Sequence, residues 1–181
     1  MIPRESDVIE WDDAAAYLKQ TTDWLNKRYD ERLLEGNLVY VYGPSGSGKT
    51  FFLHSVYAAL NCPGKATAER ALFYRIPDFI DEFIDSILNG KTRTFEQRLY
   101  HAGAVLFDDV DALTGKTQTQ AEFEKLVNHC LEDNHTLMIV AGSSSPDKLL
   151  LTERLRNRLS WGKVIEFRRN ESSANEQKLN S

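Results

Sequence analysis

Apolar and polar positions follow two different rhythms along this chain. Five short apolar runs, Leu38 to Tyr42, Ala71 to Ile76, Ala104 to Phe107, Thr136 to Ala141 and Lys163 to Phe167, are too brief for helices and rich in strand-forming residue types. Segments with helical spacing lie between them. Phe52, Leu53, Val56 and Leu60 form one stripe; Phe79, Ile80, Phe83, Ile84, Ile87 and Leu88 form a second, closed by Asn89-Gly90. A shorter helix is expected near Phe95 to Tyr100. Thr119-x-x-Glu122 reads as a capping box ahead of Phe123, Leu126, Val127, Cys130 and Leu131, and Arg154 to Leu159 suits a last short helix. Ahead of the first strand, Trp11, Ala15, Leu18, Thr22, Leu25 and Tyr29 predict an amphipathic helix with Asp12 and Asp13 in its first turn. Apolar strands alternating with helices predict an α/β fold: a five-stranded parallel sheet with helices on both faces.

The 181 residues suit a single domain, expected over residues 1–169, with a polar, aperiodic and disordered tail over 170–181. Apolar types make up 41% and charged types 27%, an ordinary globular balance that excludes disordered and fibrous classes. Twenty-two Lys and Arg stand against 27 Asp and Glu, net −5, so nucleic-acid binding driven by overall positive charge is excluded and any such contact must be local. Cys62 and Cys130 fall on different helical segments, which argues against a disulfide framework, and with no close His they lack the ligand count of a zinc site. The first residues carry no apolar signal core and nowhere do 18 apolar residues run together, so a cytoplasmic protein without membrane contact is expected. His54, His101, His129 and His135 form no ligand cluster, and Trp11, Trp24, Tyr40 and Tyr42 fall at core-facing or strand spacings rather than as base-stacking groups.

Chemistry is concentrated in three places. Gly43-Pro44-Ser45-Gly46-Ser47-Gly48-Lys49-Thr50 matches G-x-x-x-x-G-K-[ST] and sits between a predicted strand and a predicted helix. The glycines let the loop curl so that backbone N–H groups point at phosphate oxygens, and the helix start adds its positive dipole end. In that role Lys49 reaches the β- and γ-phosphates, and Thr50 places its hydroxyl on Mg²⁺. The strand Val105-Leu106-Phe107 ends in Asp108-Asp109: Asp108 suits the Mg²⁺ water shell and Asp109 the orientation of an attacking water, with short reach and slow turnover. Arg154-Leu155-Arg156-Asn157-Arg158 opens a stretch to Arg169 with six basic residues against Glu166, which leaves the rest of the chain at −10. An always-charged, planar guanidinium presented by a neighbouring subunit can stabilise a transferring phosphoryl group.

Together these stretches resemble the AAA+ ATPase core of the bacterial chromosomal replication initiator DnaA family. Tyr40 to Thr50 with Leu53-His54, Phe107-Asp108-Asp109-Val110, Gln120-Ala121-Glu122-Phe123 and Arg154 to Gly162 carry the likeness, over roughly residues 36–167. The Arg-Leu-Arg-Asn-Arg segment followed by Trp161-Gly162 is its most diagnostic part. The resemblance implies a P-loop NTPase of the AAA+ type that binds ATP or ADP with Mg²⁺ and joins initiator-type subunits, as homo- or hetero-oligomers, with Arg158 as the arginine finger. It implies an extra helical segment, matched in length by residues 78–101, and a single-stranded DNA contact at Lys116, where Gln118 replaces the family's usual second basic residue. It also places a sensor at Ser143, where the family usually carries aspartate. The family's helical lid and its duplex-reading helix-turn-helix domain have no counterpart in the twelve polar residues after Arg169, so sequence-specific duplex recognition is not expected. Two other readings remain: a catalytically weak adaptor that docks on a full initiator or replicative helicase, and a small P-loop kinase supported by the phosphate loop alone.

Overall fold

The computed structural model describes residues 7–10, 37–61, 71–132 and 136–168. The amphipathic segment from Trp11, with Trp24, and also Cys62, His135 and the polar tail, lie outside the described residues. Strands β1 (Asp7–Glu10), β2 (Leu38–Tyr42), β3 (Ala71–Arg75), β4 (Ala104–Asp108), β5 (Leu137–Gly142) and β6 (Lys163–Arg168) form one sheet in the order β1-β6-β2-β5-β4-β3. Every pairing is parallel. All five expected strands are present. The sixth, β1, adds to the outer edge with Asp7 opposite Ile165 and Glu10 opposite Arg168. Four residues with acids at both ends carry too little periodic signal to announce a strand.

Helices α1 (Lys49–Leu60), α2 (Ile76–Leu88), α3 (Thr92–Tyr100), α4 (Thr117–Glu132) and α5 (Glu153–Leu159) connect the strands. Two boundaries differ from expectation. The strand read to Ile76 stops at Arg75, because Ile76 opens α2 with Pro77 in its first turn, where a missing N–H costs nothing. Thr119 lies inside α4 rather than at its cap, since the helix already begins at Thr117, where Gln120 N–H donates to the Lys116 carbonyl. The helix expected from Arg154 is capped by Thr152, whose side chain accepts from the Leu155 amide.

Strands β4 and β5 are buried along their whole length, as parallel strands covered on both faces must be. The strand period of two sorts their residues onto two cores. Tyr40, Val105, Phe107, Met138 and Val140 face the layer built from α2, α3, α4 and α5. Val41, Leu106, Ile139 and Phe167 face α1, through Phe52, Leu53 and Val56. In the first core Phe123 is fully buried, with ring centroids 4.9 Å from Phe107 and 5.8 Å from Phe79, both edge-on. Removing that ring leaves a cavity that rigid neighbours cannot fill. Phe123→Ala is expected to lower unfolding stability by about 3–5 kcal/mol, measured by urea denaturation, with Phe123→Leu losing distinctly less.

Candidate functional site

In a parallel sheet all strand C-termini meet at one edge, and that edge gathers several of the residues singled out in the sequence. A cavity of about 870 Å³ opens there, lined by Lys49, Thr50, Asp108, Asp109 and Ser143 among others. Its size is within the range of small-molecule pockets. Of the Gly43–Thr50 loop, Ser45, Gly46, Gly48, Lys49 and Thr50 line it, whereas Gly43, Pro44 and Ser47 do not. Gly43 passes so close to β6 that a Cβ would collide with the Phe167 carbonyl oxygen. Gly48 takes the left-handed conformation, φ 92°, immediately before α1, and its carbonyl accepts from the Phe52 amide at 2.9 Å.

Lys49 Nζ donates to the carbonyls of Gly43, at 2.7 Å, and Pro44, at 2.9 Å, closing the loop on itself. Burial lowers its pKa, while the carboxylates of Asp108, Asp111 and Asp109 pull the other way. Across the cavity Thr50 Oγ1 donates to Asp108 Oδ2 at 2.7 Å, joining residues 58 positions apart in sequence. Asp108 ends a strand that is otherwise wholly apolar and is itself 8% exposed. Among the described residues no three His, Cys, Asp or Glu side chains form a metal cage. The donor set of one hydroxyl and one carboxylate fits Mg²⁺ held beside phosphates, an ion that keeps much of its water shell and needs few protein ligands.

Asp109 is the only non-glycine residue with positive φ among the described residues, at φ 65° and ψ 52°. Its carbonyl accepts from Ala112 N–H at 3.0 Å, starting the 3₁₀ turn over Val110–Leu113. Left-handed backbone costs about 1 kcal/mol or more outside glycine, and such strain tends to persist at working sites.

Two cavity residues escaped the sequence. Asp111 accepts from the Ser143 hydroxyl at 2.6 Å and from the Ser143 amide at 2.8 Å. The proton that Ser143 could offer a phosphate or a water is therefore committed to a carboxylate. Fully buried Tyr40 fixes the same loop by donating its hydroxyl to the Ser144 carbonyl at 2.7 Å, and burial, reinforced by the charge on Asp111, pushes its pKa up. Arg75 lines the cavity from the end of β3, paired in register with Asp108. The signal for Asp111 was an acid two residues past the Asp108-Asp109 pair; for Arg75, a charge ending an apolar run.

Arg158 is not at the cavity. It sits near the end of α5, with its guanidinium carbon 4.0 Å from the Trp161 ring centroid. Gly162, just before β6, packs on the backbone of Leu38, the first residue of β2, so tightly that a Cβ would collide with it. Gly162 therefore lies at the N-terminal edge of the strands, opposite the cavity. Arg158, whose carbonyl accepts from the Trp161 amide, is next to it, whereas Arg156 reaches back to the Asp147 carbonyl beyond the end of β5. Lys116 is exposed just ahead of α4, its Nζ donating to the Ala112 carbonyl at 2.7 Å.

Comparison with known proteins bears on the whole arrangement. The family model for the bacterial DnaA ATPase domain matches residues 20–166. The chromosomal replication initiator protein DnaA of Zymomonas mobilis subsp. mobilis is 32% identical over 133 residues, covering 74% of this chain and 27% of that protein. A replication initiator DnaA bound to AMPPCP and single-stranded DNA superposes with TM-score 0.73 at 22% identity, over 92% of this chain and 51% of that one. A DnaC helicase loader superposes with TM-score 0.63 at 15% identity, over 88% of this chain and 93% of that one. These structural likenesses show a shared fold. The chain thus spans about a quarter of the curated initiator and half of the solved one.

The Asp111 latch is directly testable. Asp111→Ala removes the acceptor of two hydrogen bonds and is expected to lower stability by about 1 kcal/mol, the bonds to a charged group being partly offset by exposure. Asp111→Asn, which keeps one acceptor oxygen, loses less; thermal unfolding of both variants measures it.

Proposed function

Because the chain belongs to the bacterial DnaA ATPase-domain family, we propose that it binds ATP with Mg²⁺ at the strand ends and hydrolyses it slowly. On this reading it acts in replication initiation through nucleotide-dependent association with initiator-type chains. The observation that carries the proposal is the Thr50–Asp108 hydrogen bond inside the cavity, because only a folded site needs those two oxygens together. The loop amides and the start of α1 take the phosphates, and Lys49 leaves its loop carbonyls to meet the β- and γ-phosphate oxygens. Thr50 and Asp108 would hold a Mg²⁺ that, when bound, would offset negative charge on the phosphates. Asp109 orients a water against the γ-phosphorus and accepts its proton as ADP departs.

Arg158 serves a second molecule, since it does not line its own chain's cavity and sits beside Trp161 instead. There its guanidinium stabilises charge on the transferring phosphoryl group. The family resemblance offers single-stranded DNA as a ligand for Lys116; with Gln118 two residues on, the segment would neutralise about one phosphate, so such a contact would be weak and salt-sensitive. A second reading has support of its own. The Ser143 proton is held by Asp111, which favours an adaptor that binds nucleotide, associates with an initiator or helicase and turns over little.

Calorimetry and phosphate release separate these. Lys49→Ala is expected to weaken ATP binding at least tenfold, and Asp108→Asn to abolish its Mg²⁺ dependence. Unchanged binding in Lys49→Ala contradicts the site assignment. Asp109→Asn should bind ATP as the parent does and lose roughly 10²-fold in turnover. Nucleotide-dependent association with no phosphate release from the parent protein selects the adaptor reading. In sedimentation with ATP, Arg158→Ala is expected to lose the assembled species.

A further inference from the structure

The three arginines of α5 are held in three different ways. Arg154 Nε lies 3.7 Å from Glu124 Oε1, and an Arg156 terminal nitrogen donates to the Asp147 carbonyl at 2.8 Å. Arg158 makes no ion pair and no side-chain hydrogen bond among the described residues. Its guanidinium carbon instead rests over the Trp161 ring, 4.0 Å from the centroid, well inside the range of a cation–π contact. The distinction matters chemically. A carboxylate or carbonyl holds an arginine by occupying its N–H donors, whereas an aromatic face holds the cation and leaves all five donors for an incoming oxyanion.

Trp161 is itself well placed to do this and poorly placed for anything else nearby. It is 54% exposed, so most of its indole is not used to build the core. Its backbone is nevertheless fixed: its N–H donates to the Arg158 carbonyl at 3.0 Å, and Gly162 beside it is clamped against Leu38. The indole is a solvent-facing shelf on a rigid mount, three residues from the arginine it carries.

We propose that Trp161 is a positioning residue for Arg158, its indole face holding the guanidinium in a partly ordered pose with free donors, ready for the phosphate end of another chain's cavity. The inference rests on the reading that Arg158 acts in trans. Holding the arginine beforehand removes part of the rotamer entropy that a free, four-torsion side chain would lose on engaging phosphate. The cation–π contact is weak enough at an exposed site to be exchanged for a charged oxygen. Both effects act on the assembled, reacting state and not on nucleotide capture by the chain that carries Trp161.

The test uses the full chain. Trp161→Ala, Trp161→Leu, Trp161→Phe and Arg158→Ala are compared for ATP affinity, ATP-dependent sedimentation and turnover across protein concentration. Trp161→Ala and Trp161→Leu are expected to keep ATP affinity and lose three- to tenfold in assembly or in turnover at saturating ATP. Trp161→Phe, which restores an aromatic face, recovers at least half. The double variant Arg158→Ala/Trp161→Ala should be no worse than Arg158→Ala, because the two residues act as one unit. In a Trp11→Phe/Trp24→Phe background, where Trp161 is the only tryptophan, Arg158→Ala should change its fluorescence. Unchanged emission overturns the pairing. If Arg158→Ala is impaired while Trp161→Ala and Trp161→Leu match the parent, the positioning role is wrong and the finger reading stands. If Arg158→Ala itself matches the parent, the finger reading fails and takes this inference with it.

Discussion

Parallel strand direction is the constraint on which everything functional here depends. Each strand enters the sheet from one edge and leaves at the other, so β2, β4 and β5 deliver the phosphate loop, Asp108-Asp109 and Ser143 to a common rim. The same rule sends Trp161 and Gly162 to the far rim, beside the first residue of β2. Parallel pairing needs crossovers that cover both faces, and the fully buried β4 and β5 are the consequence. Burial of those strands thus fixes which residues can meet at the cavity and which cannot.

The cavity rim is electrostatically mixed. Lys49 and Arg75 share it with Asp108, Asp109 and Asp111, so the side chains alone do not make a strongly attractive anion site. Phosphate binding at such a rim depends on directed backbone N–H groups and on a divalent cation to offset the carboxylates. Lys49 fits this picture. Burial disfavours its charged form while the three aspartates oppose that effect, and its head is satisfied by the Gly43 and Pro44 carbonyls. Exchange of those carbonyls for phosphate oxygens trades neutral acceptors for charged ones, which form the stronger bonds.

What the sequence made legible was local. The five strands announced themselves as brief apolar runs, and the loop from Gly43 to Thr50 carried its geometry in its glycines. Asp108 could be expected beside Thr50 because both lie next to strand ends, and the 2.7 Å bond joins them. The rest depends on contacts between distant segments. Nothing near Ser143 shows that its hydroxyl belongs to Asp111, 32 residues earlier. Nothing in Asp7-Val8-Ile9-Glu10 tells that β6 has an edge free to receive it. Thr119 and Glu122 have the spacing of a capping box, but α4 starts two residues sooner at Thr117. The composition of the arginine segment was plain; the different tethers of Arg154, Arg156 and Arg158 were not.

Placing cavity and arginine on opposite rims has a consequence for any assembly built through them. One chain that offers Arg158 at one rim and a phosphate site at the other presents two different surfaces, so contact between copies is heterologous in head-to-tail stacking. Unless it closes into a ring, such a stack leaves an unmatched cavity at one end and an unmatched arginine at the other. Interior sites then receive the guanidinium and one terminal site does not. On the proposed reading, turnover would report on assembly itself: a chain alone would bind nucleotide with its own loop, Lys49, Thr50 and Asp108, while completion of the site around the transferring phosphoryl group would wait for a neighbour. On the same reading an anchor such as Trp161 would matter most then, because it would hold the unassembled arginine in a pose that needs little reordering on contact.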